Sequence, residues 1–183
     1  MLDYTKATDQ QLKEEFKRLS KIVSDVPFGT KKEFFHLPKI LNQDETPLAV
    51  ASGMMDGNTW LITLTNKRVI FLDKGMLFGV KQIDVNLKDI ASVGGKTGLL
   101  LGEIMIGTTG QNYTIKNVQK TSVIPFTNLI NETRNANNKK TESITRTHDD
   151  DVVSKIERLA ALKDRGVLSE EEFQQQKQKI LNG

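Results

Sequence analysis

Residues 59–74 read TWLITLTNKRVIFLDK, and the fold is decided by how this stretch is divided. Side chains alternate across an extended strand, so Trp60, Ile62 and Leu64 share one face of the first half. Asn66 and Lys67 separate it from a second strand-like run. Two residues between two such runs predict a tight hairpin, with Asn tolerating the left-handed backbone that such a turn demands. From Leu48 onward the pattern repeats in short segments rich in Val, Ile, Thr and Leu, punctuated by Gly, Asn or Asp. It predicts seven strands near 48–54, 59–65, 68–74, 80–85, 89–93, 99–107 and 112–117. In the sixth, Leu100, Gly102, Ile104 and Ile106 share a face and Glu103 and Met105 point away, so one side is buried and the other is not.

A helix over 122–135 follows, with Phe126, Leu129 and Ile130 on one side and Pro125 restricting its start. Seven antiparallel strands and then a helix give an α+β class: a bent sheet, closed into a partial barrel, with the helix over one open end.

Before the strands, Thr8 and Gln11 stand at the spacing of a capping box. Behind them Leu12, Phe16, Leu19, Val23 and Val26 form one apolar stripe, read as docking on its own chain, with Pro27 and Gly29 ending the helix. A short helical piece over 34–41 comes next. After the sheet, residues 135–148, NANNKKTESITRTH, hold one large apolar residue, Ile144, and read as a linker. Val152, Ile156, Leu159 and Leu162 then line a helix that stops at Gly166. Ser169 and Glu172 form a second capping box, with Leu168 and Phe173 at the positions of a hydrophobic staple and Ile180 and Leu181 further along. The divisions are therefore 1–46, an N-terminal helical segment; 47–136, the sheet and its helix; 137–149, a linker; and 150–183, a helical hairpin. Some 30 residues bury little apolar surface without disulfides or metal, so the hairpin is expected to pack on another surface or another copy of itself.

Composition removes several functions. With 183 residues the chain suits one domain and a small appendage; 37% hydrophobic and 27% charged residues place it among soluble globular proteins. Having no cysteine, it has no disulfide framework, thiol chemistry or cysteine-held zinc, and a reducing cytoplasm is its expected home. The opening MLDYTKATDQQ lacks a basic stretch followed by an apolar one, and no signal peptide or membrane span is expected. The net charge of +3 is too small to name a nucleic acid or an anionic membrane as partner, though it would help an encounter with either.

Two resemblances carry further expectations. The stretches LAVASG at 48–53, LITLTNKRVIFLDKG at 61–75 and DIASV at 89–93 resemble the bacterial pleckstrin-homology-like family called YokE-like. The tail from Ile156, IERLAALKDRGVLSEEEFQQQKQKIL, resembles the short C-terminal domain known as SHOCT. The first implies a bent seven-stranded partial barrel capped by a helix. It does not imply phosphoinositide binding: the lipid-binding members of the wider superfamily place Lys and Arg on the first two strands and their joining loop. Here SGMMDGNTW carries Asp56 and no basic residue, whereas a multiply charged head group needs clustered donors. The second implies a helical module suspected of mediating assembly, with no catalytic residues to transfer.

The motif GGKTG at 94–98 is not a phosphate loop, because a Walker sequence would put its first glycine at Ile90 and a helix after the lysine. It reads as a hairpin turn, with Gly94, Gly95 and Gly98 supplying positive φ. His36 and His148 are far apart in sequence; Asp149, Asp150 and Asp151 read as favouring the start of the first tail helix, Asp150 or Asp151 capping it, rather than as a metal site. No catalytic residues, metal ligands, cofactor or small-molecule substrate emerge, and the chain reads as non-catalytic. The expected contacts are Leu159, Leu162, Leu168, Phe173 and Ile180 in the tail, for self-association or a protein partner. The loop GMLFG at 75–79 is a second candidate, with Met76, Leu77 and Phe78 flanked by Lys74 and Lys81, facing a subunit, its own core or, in a peripheral role, an anionic membrane. Nucleic-acid binding ranks last, since the basic residues are dispersed and the aromatics read as core.

Overall fold

The computed structural model describes residues 2–75 and 79–182, with 140–153 and 182 described as backbone only. Two units divide the chain, Met1–Asn135 and Ala136–Gly183. In the first, α1 (Asp9–Ile22) and α2 (Lys31–Phe34) precede a sheet of β1 (Pro47–Met55), β2 (Asn58–Thr65), β3 (Arg68–Lys74), β4 (Val80–Asn86), β5 (Ile90–Thr97), β6 (Leu101–Thr108) and β7 (Asn112–Gln119). Helix α3 (Lys120–Asp164) enters from β7, and α4 (Glu170–Asn182) follows it.

The strand order is β4-β3-β2-β1-β7-β6-β5, with antiparallel pairing throughout. Between β1 and β7 the ladder shrinks to one register pair, Met54 with Lys116, so the sheet folds over on itself there as a curled half-barrel. Its concave side holds the main core: Trp60, Ile62 and Leu64 of β2, Val69 and Phe71 of β3, Ile104 and Ile106 of β6, and Val123, Phe126 and Ile130 of α3. The indole N–H of Trp60 donates to the Met55 carbonyl at 2.9 Å, so the largest ring in this core leaves no buried donor unmet.

The convex side of β1–β3 is covered as well. Val50, Leu61, Ile70 and Leu72 meet Leu12, Phe16 and Leu19 of α1 and Phe34 of α2, with the Phe16 and Phe34 rings 4.8 Å apart. This double burial explains why VIFL is an unbroken apolar run and LITL is buried throughout, Thr63 included, rather than alternating between core and solvent. Each side chain buried there contributes on the order of 1.5–3 kcal/mol. The Thr8–Gln11 capping box forms with both of its hydrogen bonds. An ion pair fixes the chain's entry to the sheet: Arg68 reaches Glu45 with Nε at 2.8 Å and Nη2 at 2.9 Å, Asp84 with Nη1 at 2.8 Å, and the Ile40 carbonyl at 2.7 Å. Burial alone would raise the Glu45 carboxyl, but the Arg68 guanidinium, the Asn42 N–H and the Thr65 hydroxyl together hold it below its ordinary value.

Five details depart from the sequence expectations. Asn66 does not adopt positive φ; its side chain accepts from Thr46 N–H at 2.8 Å and donates to the Asp44 carbonyl at 3.0 Å, while left-handed backbone falls at Asp56 and Gly57 instead. Gly94 and Gly95 lie within β5, and neither they nor Gly98 has positive φ. The turn of that hairpin is Gly98 to Leu100, so Leu99 and Leu100 are turn residues rather than the start of a strand. Helix α1 stops at Ile22, where Ser24 takes the left-handed position (φ 54°) after the helix, leaving Val26 outside the stripe and exposed. Residues 137–149 are helical backbone inside α3, because no Pro or Gly interrupts the chain between Pro125 and Gly166; no helix therefore starts at Asp150 or Asp151 for either to cap.

Candidate functional site

The second unit is built from the end of α3, a short turn and α4. Gly166 is left-handed (φ 71°), the Val167 N–H donates to the Leu162 carbonyl at 3.0 Å, and the Gly166 N–H donates to the Lys163 carbonyl at 2.8 Å, a Schellman ending. Ser169 and Glu172 exchange the two bonds of the expected capping box, at 2.9 and 3.2 Å. Lys163 bridges the turn to Glu170 at 2.7 Å, which raises the ammonium and lowers the carboxyl from their ordinary values. The ring of Phe173 is buried, with the Lys163 and Lys177 ammonium groups 5.2 and 6.0 Å from its centroid. Of the other expected contact residues, Leu159, Leu168 and Ile180 are half-buried and Leu162 is exposed.

A cleft of about 570 Å³ opens where the β1–β2 and β6–β7 hairpins meet, lined by Asp56, Gly57, Tyr113, Lys116 and Asn117 among others. One lysine and one carboxylate do not make a polyanion cradle. The β1–β2 connection is only Asp56 and Gly57, both left-handed (φ 51° and 78°), a two-residue turn with no basic side chain.

Met76, Leu77 and Phe78 lie outside the described residues. Their flanking lysines border a cleft of about 620 Å³ or sit beside it: Lys81 is 3.9 Å from Asp73, and the Lys74 backbone N–H donates to Glu33 Oε1 at 3.1 Å. Charges of both signs are mixed there. Among the described residues no group of three or more His, Cys, Asp and Glu could hold a metal ion, and no helix is long and apolar enough to cross a membrane.

Sequence reasoning missed a different apolar cluster, at the β5–β6 turn. Leu99, Leu100 and Leu101 are 87%, 77% and 49% exposed. Placing them in a strand concealed this; the signal was GLLLG itself, three leucines where an alternating edge strand would carry a polar residue. The segment after α1 runs close by. Val26 N–H donates to Gln119 Oε1 at 2.9 Å, Gln119 pairs with Leu101 across the β6–β7 ladder, and Thr121 Oγ1 donates to the Ser24 carbonyl at 3.0 Å. Beneath these contacts Asp25 is buried, accepting from Ser122 Oγ at 3.0 Å and from Ser52 N–H at 3.1 Å. Burial raises its carboxyl above the ordinary value despite both bonds.

A family model described as "Bacterial PH domain" matches residues 41–132, half of the chain. The chain belongs to that family. A second family model, "Short C-terminal domain" (SHOCT), matches residues 154–181. Two solved structures are similar to this bacterial PH-domain chain over part of its length. A DUF1696 family protein with a pleckstrin-homology domain from Shewanella loihica PV-4 is 21% identical, with 58% of this chain and 97% of that one covered at a TM-score of 0.41. A pleckstrin homology domain from Shewanella amazonensis SB2B is 22% identical, covering 46% and 79%, at a TM-score of 0.36. No curated protein matches the chain.

Proposed function

We propose that this protein is a non-catalytic assembly protein, in which the PH unit is the displayed module and the SHOCT hairpin joins copies of the chain through Leu159, Leu162, Leu168, Phe173 and Ile180. One observation carries the reading. Among the described side chains of the second unit, Phe173 is the one buried large apolar residue, while Leu162, Val167 and Leu181 remain 38%, 65% and 57% exposed. A hairpin with so small a core gains most of its stability by burying those side chains against something else. That both matched families are small modules supports a role in binding rather than turnover.

The test is absolute mass by light scattering, comparing the full chain with one ended after Thr147. The shorter chain keeps both hydrophobic clusters of the PH unit, which reach no further than Ile130. A multimeric full chain and a monomeric shortened one are expected. If both are monomers, self-association is refuted; if both are multimers, the tail is not the joining element.

A further inference from the structure

We propose that the β5–β6 hairpin tip is a membrane-insertion wedge, which seats Leu99, Leu100 and Leu101 in the interface of an anionic bilayer. The inference is independent of the tail contacts.

Three features of the tip support it. First, leucine side chains exposed to this degree leave apolar surface in water that the interface would cover. Val26 and Ile124, both exposed, extend the patch: Val26 through its bond to Gln119, and Ile124 one turn beyond Lys120 on the same face of α3.

Second, the three leucine carbonyls of the tip are already hydrogen-bonded. The Leu101 carbonyl accepts from Gly98 N–H at 2.8 Å, the Leu100 carbonyl from Lys120 N–H at 3.4 Å and the Leu99 carbonyl from the Lys120 ammonium at 3.5 Å. A loop entering a lipid interface is penalised chiefly for unpaired peptide groups, and these three carbonyls would enter already bonded.

Third, the collar is cationic. Lys96 and Lys120 flank the turn, and Lys21 lies three residues before Ser24, whose carbonyl is tied to Thr121. None of the three forms an ion pair among the described residues. Glu103 stands opposite Lys96 in the ladder, and Asp25 is buried and engaged by Ser122 and Ser52. An apolar tip beside lysines that form no ion pair among the described residues complements anionic head groups. It fits a second copy poorly, because a two-fold contact would bring this lysine collar against its own image.

The experiment mixes the full chain with phosphatidylcholine vesicles, with and without about 30% phosphatidylglycerol, and reads the bound fraction by sedimentation over a salt series. Binding to the anionic vesicles that fades as salt rises is expected. The double variant L99S/L100S changes only exposed side chains, so its melting temperature should stay put while vesicle binding falls about tenfold or more. Lys96→Gln should weaken the preference for anionic lipid. The proposal is overturned if the full chain does not bind anionic vesicles, or if L99S/L100S binds them as well as the parent. It is equally overturned if that variant loses multimer mass and keeps its vesicle binding, which would make the tip a contact between copies.

Discussion

A β-carbon placed on Gly95 would lie 2.6 Å from Cγ1 of Val123, so β5 accepts α3 only because it carries no side chain there. Gly102 on the neighbouring strand is in the same position, with 2.7 Å to Val123 Cγ2 and 2.5 Å to the Lys96 carbonyl. Val123 is β-branched and stiff in a helix, which prevents it from swinging aside. Gly95→Ala should therefore destabilise the PH unit by about 1–3 kcal/mol. In urea titrations the pair G95A/V123A should lose less than the sum of its single variants, the sign of a shared clash.

Ser24 holds a left-handed conformation that side chains resist, and its own side chain is exposed. Its N–H and the Asp25 N–H close the end of α1 by bonding the Lys21 and Ser20 carbonyls at 3.1 and 2.9 Å. Ser24→Gly keeps those bonds and relieves the strain. Thermal unfolding should show a gain of about 0.5–1 kcal/mol, where an ordinary exposed Ser→Gly change would cost stability.

Removing the guanidinium from the Glu45–Arg68 pair strands a fully buried carboxylate. Arg68→Ala should cost about 3–5 kcal/mol, and Arg68→Lys should not restore it, because an ammonium cannot hold both carboxylate oxygens while reaching the Ile40 carbonyl and Asp84. The uncharged replacement E45Q/R68M, which leaves no buried carboxylate, should be better tolerated than R68A in the same titration.

Asp25 and Glu45 give the PH unit pH responses of opposite sign. Glu45 is held low, so its stabilisation is present above its unfolded value and is lost as pH falls through the folded one. Asp25 is raised, so its contribution is full below its ordinary value of 3.8 and is lost as pH climbs from there through the raised folded value. The stability of the parent relative to Asp25→Asn should therefore shrink as pH rises across that window. A difference that grows with pH would mean the Asp25 carboxyl is favoured as the anion in the fold.

Much of the fold was legible because strands announce themselves locally. The runs of β2 and β3 and the two capping boxes depend on neighbours a few residues away, and all formed as read. What the sequence concealed depends on distant partners. Gly94 and Gly95 looked like turn residues, yet the reason for Gly95 is a helix that arrives 28 residues later, at Val123. Asn66 looked like a left-handed turn residue, but its amide is occupied by the backbone at Asp44 and Thr46. The polar stretch 137–149 lacks an apolar stripe, and this was read as an absence of helix; a helix already nucleated on the PH core continues through polar residues until a breaker stops it. The leucine tip was not legible, because the exposure of Leu99 and Leu100 follows from where the turn falls.

The two-sided burial of β1–β3 also has a bearing on biosynthesis. Leu12, Phe16 and Leu19 leave the ribosome well ahead of Ile70 and Leu72, the strand residues on which they come to rest. Until β3 has been translated, α1 is an amphipathic helix without its full cover, of the kind that holdase chaperones capture. Its docking joins segments some fifty residues apart in sequence, so the unit can close only late in its own synthesis.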